Sequence, residues 1–114
     1  MTLIQKHALV TGGGTGIGLA IARALAEQGA RVTITGRRRD VLEAAAGEGL
    51  YPAVMDVTDE AQVVDGIAAA ADARGPVQIC VANAGIAEGR ALHKTDMAFW
   101  RQVMATNLDG AFLT

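Results

Sequence analysis

The chain has 114 residues, enough for one domain with a modest core, and it is 51% hydrophobic but only 4% aromatic, which suits helices packed on a buried parallel sheet better than an aromatic-centred sandwich. A formal net charge of −2 gives no basic face for nucleic acid, and no apolar run approaches the length that crosses a membrane. One cysteine permits no intramolecular disulfide and the polar stretch 1–7 does not read as a signal peptide, so a cytoplasmic protein is expected.

His7–Thr11 is a short apolar run of the kind expected for a strand covered on both faces. Thr11-Gly12-Gly13-Gly14-Thr15-Gly16-Ile17-Gly18 follows and opens onto a helix predicted over Gly16–Gln28, where Ile17, Ile21, Ala24 and Leu25 recur at helical spacing before Gly29. A strand, a glycine loop and a helix start in that order make an anion site. Backbone N–H groups and the helix dipole attract a phosphate, and side chains in the loop would hold it away. The loop is not a Walker P-loop, because Leu19-Ala20 follows Gly18 where Lys-Ser/Thr is needed. Nor is it G-x-G-x-x-G, because Leu19 stands in the third glycine's place. A second strand is predicted over Arg31–Thr35, rich in β-branched residues, then a loop Gly36-Arg37-Arg38-Arg39 and a short helix over Asp40–Ala46 that Gly47 and Gly49 end.

The third strand is predicted over Tyr51–Asp56, delayed because Pro52 lacks an N–H. Thr58 or Asp59 caps a helix running to Arg74, with Val63, Ile67 and Ala70 or Ala71 on its buried side, and Gly75-Pro76 stops it. The fourth strand is Val77–Ala82. Residues 86–94 read as a loop, Thr95 as the cap of a helix through Phe99, Trp100 and Val103, and helix is expected again from Ala105. This alternation predicts parallel strands in the order 3-2-1-4 with right-handed crossovers, half of a doubly wound α/β sheet whose ligand lies at the strand C-termini.

Four motifs in this order carry a family resemblance: Thr11–Gly18, Asp56-Val57, Asn83-Ala84-Gly85 and Asn107-Leu108-Asp109-Gly110. Together they resemble the short-chain dehydrogenase/reductase family over the whole chain. The resemblance implies a three-layer, Rossmann-like sheet truncated before its second half. It implies cofactor contacts at Gly12, Gly14, Thr15, Gly16, Ile17 and Gly18, an adenine site at Asp56 and Val57, and a nicotinamide ribose site at Asn83, Ala84 and Gly85. Asn107 would be catalytic, its helix kink positioning a water in a proton relay. NAD-users of such folds carry a carboxylate at the end of strand 2, where this chain has Gly36 followed by Arg37. Guanidinium attracts and bidentately binds a 2′-phosphate, so NADP(H) is the expected cofactor and NAD(H) the runner-up. Arg38 would stack on adenine or add charge; the ordinary alternative is three arginines in a solvated loop.

Ala82 and Gln78 stand where the family usually has Asn and Asp. Cys80 reads as a small buried hydrophobe, and Met97, Phe99, Trp100 and Met104 as packing residues, some within reach of a substrate mouth formed with 86–94. His7 and His93 lack partners at metal-ligand spacing, so no metal is expected. Family reductions use a Tyr, a Lys four residues on and a Ser. The one tyrosine here, Tyr51, is followed four residues later by Met55, and there is no serine. Residues 1–114 therefore read as the N-terminal cofactor-binding portion of a single domain that continues past 114. The parent is expected to be an oxidoreductase interconverting a secondary alcohol and a ketone, by default of the 3-oxoacyl thioester reductase or 3-hydroxyacyl dehydrogenase type. Its partners would be a small-molecule carbonyl or alcohol substrate and further copies of itself, as a dimer or tetramer. A non-catalytic NADP(H)-binding regulator and an inactive fragment are the alternatives.

Overall fold

A computed structural model describes residues 2–86 and 89–114. In chain order the elements are β1 (His7–Thr11), α1 (Gly16–Glu27), β2 (Arg31–Gly36), α2 (Arg39–Ala45), β3 (Leu50–Val54), α3 (Glu60–Arg74) and β4 (Ile79–Val81). A 3-10 turn at Leu92–Lys94, α4 (Met97–Met104), a π-helical turn at Ala105–Asp109 and α5 (Gly110–Leu113) complete it. The four strands are parallel and ordered β3-β2-β1-β4, as expected.

The central strands β1 and β2 are buried on both faces, whereas β3 and β4 at the two ends of the sheet are only partly covered. Ala8, Val10, Val32 and Ile34 point into one core, packed by Ala22 of α1 and Leu42 of α2. Met55 and Val57, just past β3, pack with Val63 of α3 in a second core. The β3 boundary differs from expectation: the strand starts at Leu50 despite Pro52. The Gly49 carbonyl and the Met55 amide both bond to β2, so odd-numbered residues face β2 and Pro52 faces the sheet's free edge. There its missing N–H costs no ladder bond.

On α1 the buried residues are Gly18 and Ala22, whereas Ile17 is 75% exposed. The helix is thus rotated from the phase that its apolar residues suggest, because Gly18 must lie against the glycine loop. At the base of the sheet His7 is 1% exposed and fully bonded. Its Nδ1 donates to the Gly75 carbonyl at 2.7 Å, since a carbonyl only accepts, leaving Nε2 paired with the Thr33 hydroxyl at 2.7 Å. Arg74 Nε donates to that hydroxyl at 3.0 Å and its guanidinium lies over the Tyr51 ring. Gln78 bonds the His7 amide through its side chain and the His7 carbonyl through its own amide. Where an Asp was expected, Gln78 ties β4 to β1.

Two expectations fail toward the C-terminus. Asp96, not Thr95, caps α4: its Oδ1 accepts from the Phe99 amide at 2.8 Å, while the Thr95 hydroxyl turns back to the Ala91 carbonyl. Packing by the α4 residues also fails. No α4 residue is buried, and Met97 and Trp100 are 57% and 54% exposed. Phe99, Val103 and Met104 are only half-buried, and the molecule as a whole is elongated, with extents of 50 × 27 × 26 Å. Phe99 packs instead under the Arg90 guanidinium, 3.9 Å from its ring centroid. The expected loop 86–94 is described except at 87 and 88, which lie outside the described residues.

Candidate functional site

Three chain segments converge at the C-terminal ends of β1, β2 and β4. The glycine loop is tied to β2 by the Gly13 amide, which donates to the Thr35 carbonyl at 3.1 Å. It is tied to β4 by Asn83, whose Nδ2 reaches the carbonyls of Thr11 and Gly12 at 3.2 and 3.3 Å. The Thr11 hydroxyl in turn accepts from the Ala84 amide at 3.0 Å. Asn83 therefore satisfies the loop's backbone and sets its shape. A Cβ on Gly18 would overlap the Gly12 carbonyl oxygen, and Gly12 itself sits at φ +64°, so both positions require glycine. At Gly14 a Cβ would press on the side chains of Val41 and Leu42 of α2, at 3.1 and 3.2 Å. The glycines thus serve internal packing as well as access for an anion.

Two adjoining hollows open beside this loop. One, about 160 Å³, is floored by Met55, Asp56 and Val57 and walled by Ala84, Gly85 and Thr106. The other, about 240 Å³, lies between Gly14 and Thr15 on one side and Arg37, Arg38 and Leu42 on the other. Gly12, Thr35, Gly36 and Arg37 border both, so the two form one groove crossing the sheet end. A larger hollow, about 450 Å³, lies between Arg23 and Glu27 of α1 and the turn at Gly47-Glu48. It is remote from the glycine loop and from every sequence-predicted site residue, so size does not decide the site.

Of the predicted residues, Gly12, Gly14, Thr15, Arg37, Arg38, Asp56, Val57, Ala84 and Gly85 line the groove. Gly16, Ile17 and Gly18 do not line it; they form the α1 start behind it. Asn83 and Asn107 act from outside, through the backbone. Asn107 lies in the π-helical turn, where its Oδ1 accepts from the Ile86 amide at 2.8 Å and its Nδ2 donates to the Ile86 carbonyl at 2.9 Å. Its side chain is thereby committed to the chain segment following β4. Sequence reasoning missed Thr35, Ile86 and Thr106 in the lining, none of which carries a motif. Gly110, quoted only as the end of the Asn107-Leu108-Asp109-Gly110 motif, has a packing role that the motif did not reveal: its absent side chain lets α5 close on Val57.

Electrostatics divide the groove. Asp56 Oδ1 accepts from the Thr58 hydroxyl at 2.7 Å and the Thr58 amide at 2.9 Å. Those bonds, hydroxyl first, hold the Asp56 carboxyl below its ordinary value; the nearby Arg37 charge acts the same way and partial burial opposes them. Arg37 makes no ion pair among the described residues, while Arg38 is paired with Asp40 at 3.0 Å on the exposed entry to α2. That pairing lowers the Asp40 carboxyl and commits part of Arg38. Cys80, expected to be buried, is exposed, on the Leu9 face of β4, which is an edge strand of the sheet among the described residues. Among the described residues no three His, Cys, Asp or Glu side chains gather as a metal site.

The short chain dehydrogenase profile matches residues 6–114. The chain is 50% identical over 109 residues to the galactitol 2-dehydrogenase (L-tagatose-forming) of Cereibacter sphaeroides, covering 92% of this chain and 42% of that protein. It is 41% identical to the gluconate 5-dehydrogenase of Gluconobacter oxydans (97% and 46% covered) and 45% identical to the NADP-dependent (R)-specific alcohol dehydrogenase of Lentilactobacillus kefiri (94% and 44% covered). A solved chain from Sinorhizobium meliloti, described as a short-chain alcohol dehydrogenase, superposes with a TM-score of 0.93 at 36% identity, over 98% of this chain and 47% of that one. The chain spans less than half the length of the curated relatives it matches.

Proposed function

Because the chain belongs to the short-chain dehydrogenase family, we propose that it is the N-terminal, cofactor-binding portion of an NADP(H)-dependent oxidoreductase acting on a secondary alcohol or ketone. In this reading the domain continues past residue 114 and the Tyr, Lys and Ser of proton transfer lie there. The observation that carries the cofactor choice is the border shared by both hollows, where Gly36 and Arg37 stand in place of an acid. A carboxylate would accept from a ribose 2′-hydroxyl and repel a 2′-phosphate; Arg37 reverses that preference. The 45% identity to a relative named as NADP-dependent supports the same reading.

The residues present fit the group. Gly12 and Gly14 keep the loop wall free of side chains, and α1 begins at Gly16, one residue past the lining residue Thr15, so that its first N–H groups would be available to a pyrophosphate. Asp56 and Val57 hold the adenine in the smaller hollow, and Ala84 and Gly85 lie along the path toward the nicotinamide. Gly16, Ile17 and Gly18 present the helix start, and Asn83 keeps it in register with the sheet. When bound, the cofactor would supply the hydride in reduction of a ketone and accept it in oxidation of an alcohol. This chain binds and orients the cofactor, and Asn107 holds the segment after β4 against the kinked helix beside the reaction centre. Among substrates, the identities to a galactitol and a gluconate dehydrogenase favour a polyol or sugar acid. The 3-oxoacyl thioester default, which comes from the family resemblance, has support from the 38% identity to mycobacterial 3-oxoacyl-[acyl-carrier-protein] reductase.

Equilibrium binding of NADPH and NADH to the full-length protein tests the reading. NADPH is expected to bind at least about tenfold more tightly, and Arg37→Leu to remove most of that margin through the affinity for NADPH, since a charge-assisted phosphate contact is worth about 1.5–3 kcal/mol. Equal affinities in the unaltered protein would return the choice to NAD(H).

A further inference from the structure

We propose that Gln62 is a positioning residue, holding Asp56 so that its free carboxylate oxygen meets the 6-amino group of the cofactor's adenine; the inference rests on the cofactor reading above. Gln62 is exposed, in the first turn of α3, and touches neither hollow. Its Oε1 accepts from the Asp56 amide at 2.9 Å. Its Nε2 donates to Asp59 Oδ2 at 3.1 Å, while its own amide donates to Asp59 Oδ1 at 3.2 Å.

These contacts leave one orientation for the side-chain amide. A carboxylate can only accept, so the nitrogen faces Asp59, and the Asp56 N–H can only donate, so the oxygen faces Asp56. Asp59 therefore aims Gln62, and Gln62 holds the peptide at the end of β3. Thr58 fixes the same residue from its other end, its hydroxyl and amide both donating to Asp56 Oδ1. Asp56 Oδ2 has no hydrogen bond among the described residues, and Asp56 floors the smaller hollow. An acceptor restrained at backbone and side chain, with one oxygen spare, reads an amino group and rejects a carbonyl. A residue that merely capped α3 would have no reason to reach past Asp59 to Asp56.

The test compares two probes on one protein: NADPH and its analogue with hypoxanthine in place of adenine, which lacks the 6-amino donor. In the unaltered full-length protein NADPH is expected to bind about tenfold more tightly than the analogue. Gln62→Leu should cut that preference about fivefold, with analogue affinity nearly unchanged; Asp56→Ala should abolish the preference. General damage to α3 weakens both probes equally and cancels in the ratio. A second pairing checks the chain of contacts: Gln62→Glu sets two carboxylates together and should lose the preference, and adding Asp59→Asn, which restores a donor, should recover it. If Gln62→Leu leaves the ratio intact, Gln62 is only a helix cap and the proposal is overturned while the cofactor reading stands. If the unaltered protein binds both probes equally, the adenine role of Asp56 falls with it. If it binds neither, the cofactor reading itself fails.

Discussion

Asp56 and Arg37 border the same hollow with opposite charges, and their chemistry separates with pH. Thr58 holds the Asp56 carboxyl below its ordinary value, so the folded form favours ionisation. A depressed carboxyl contributes stability that is present above the unfolded pKa, about 3.9, and is lost as pH falls through the lower folded value. Asp56 is thus ionised throughout pH 5–8. The 2′-phosphate that Arg37 would hold is different, because its second ionisation lies near about pH 6. We therefore expect the preference for NADPH over NADH to weaken as pH falls from 8 to 5. The preference for adenine over hypoxanthine should stay flat across the same range. Binding titrations of the three cofactors at four pH values check both. A base preference that decays with acid would mean that some group other than Asp56 reads the amino group.

At the scale of elements, the π-helical turn and the segment after β4 form one joint. Asn107 pairs with both main-chain groups of Ile86, much as a neighbouring strand would, and the extra residue in the turn directs its side chain there. A side chain committed in this way cannot also orient a substrate, so a role in the reaction would pass through the backbone it holds. Asn107→Leu is expected to raise amide exchange at Ile86 about tenfold and to cost about 1 kcal/mol of stability, the net worth of an exposed pair of this kind. Unchanged protection at Ile86 would show that the loop stands without the clamp. The kink was legible in the sequence, because an Asn within a helical pattern competes for backbone bonds. The strands and their order were legible too, from apolar runs alternating with helical periods. The phase of α1 was not, because it is set by a contact between Gly18 and Gly12 that hydrophobic spacing cannot express. The same holds for Gln62, whose partner is six residues away through a turn, and for His7, whose partners Thr33 and Gly75 come from other elements.

The whole molecule is unevenly covered. The face under α1 and α2 is a closed core, but beyond β4 the sheet has a bare edge, and the α4–α5 arm carries Trp100 at 54%, Phe112 at 86% and, just before it, Leu92 at 90% exposure. An edge strand and an arm with exposed apolar side chains both invite association. In the proposed parent, the next strand and helices or a second copy of the chain would lie there. Cys80 reports on this, because it sits in the middle of β4 and is exposed in the 114-residue chain. Its thiol is pushed up by the partial burial of the sulfur against the sheet, which slows but does not prevent attack on a disulfide reagent. The 114-residue polypeptide is expected to be labelled completely at Cys80 within minutes under native conditions and to self-associate. In the full-length protein labelling should slow by on the order of a hundredfold, as the elements packed on that face of the sheet limit reaction to local opening. Equal labelling rates in the two polypeptides would mean that the β4 face around Cys80 stays uncovered, and the proposal that elements past residue 114 pack on that side would have to be abandoned.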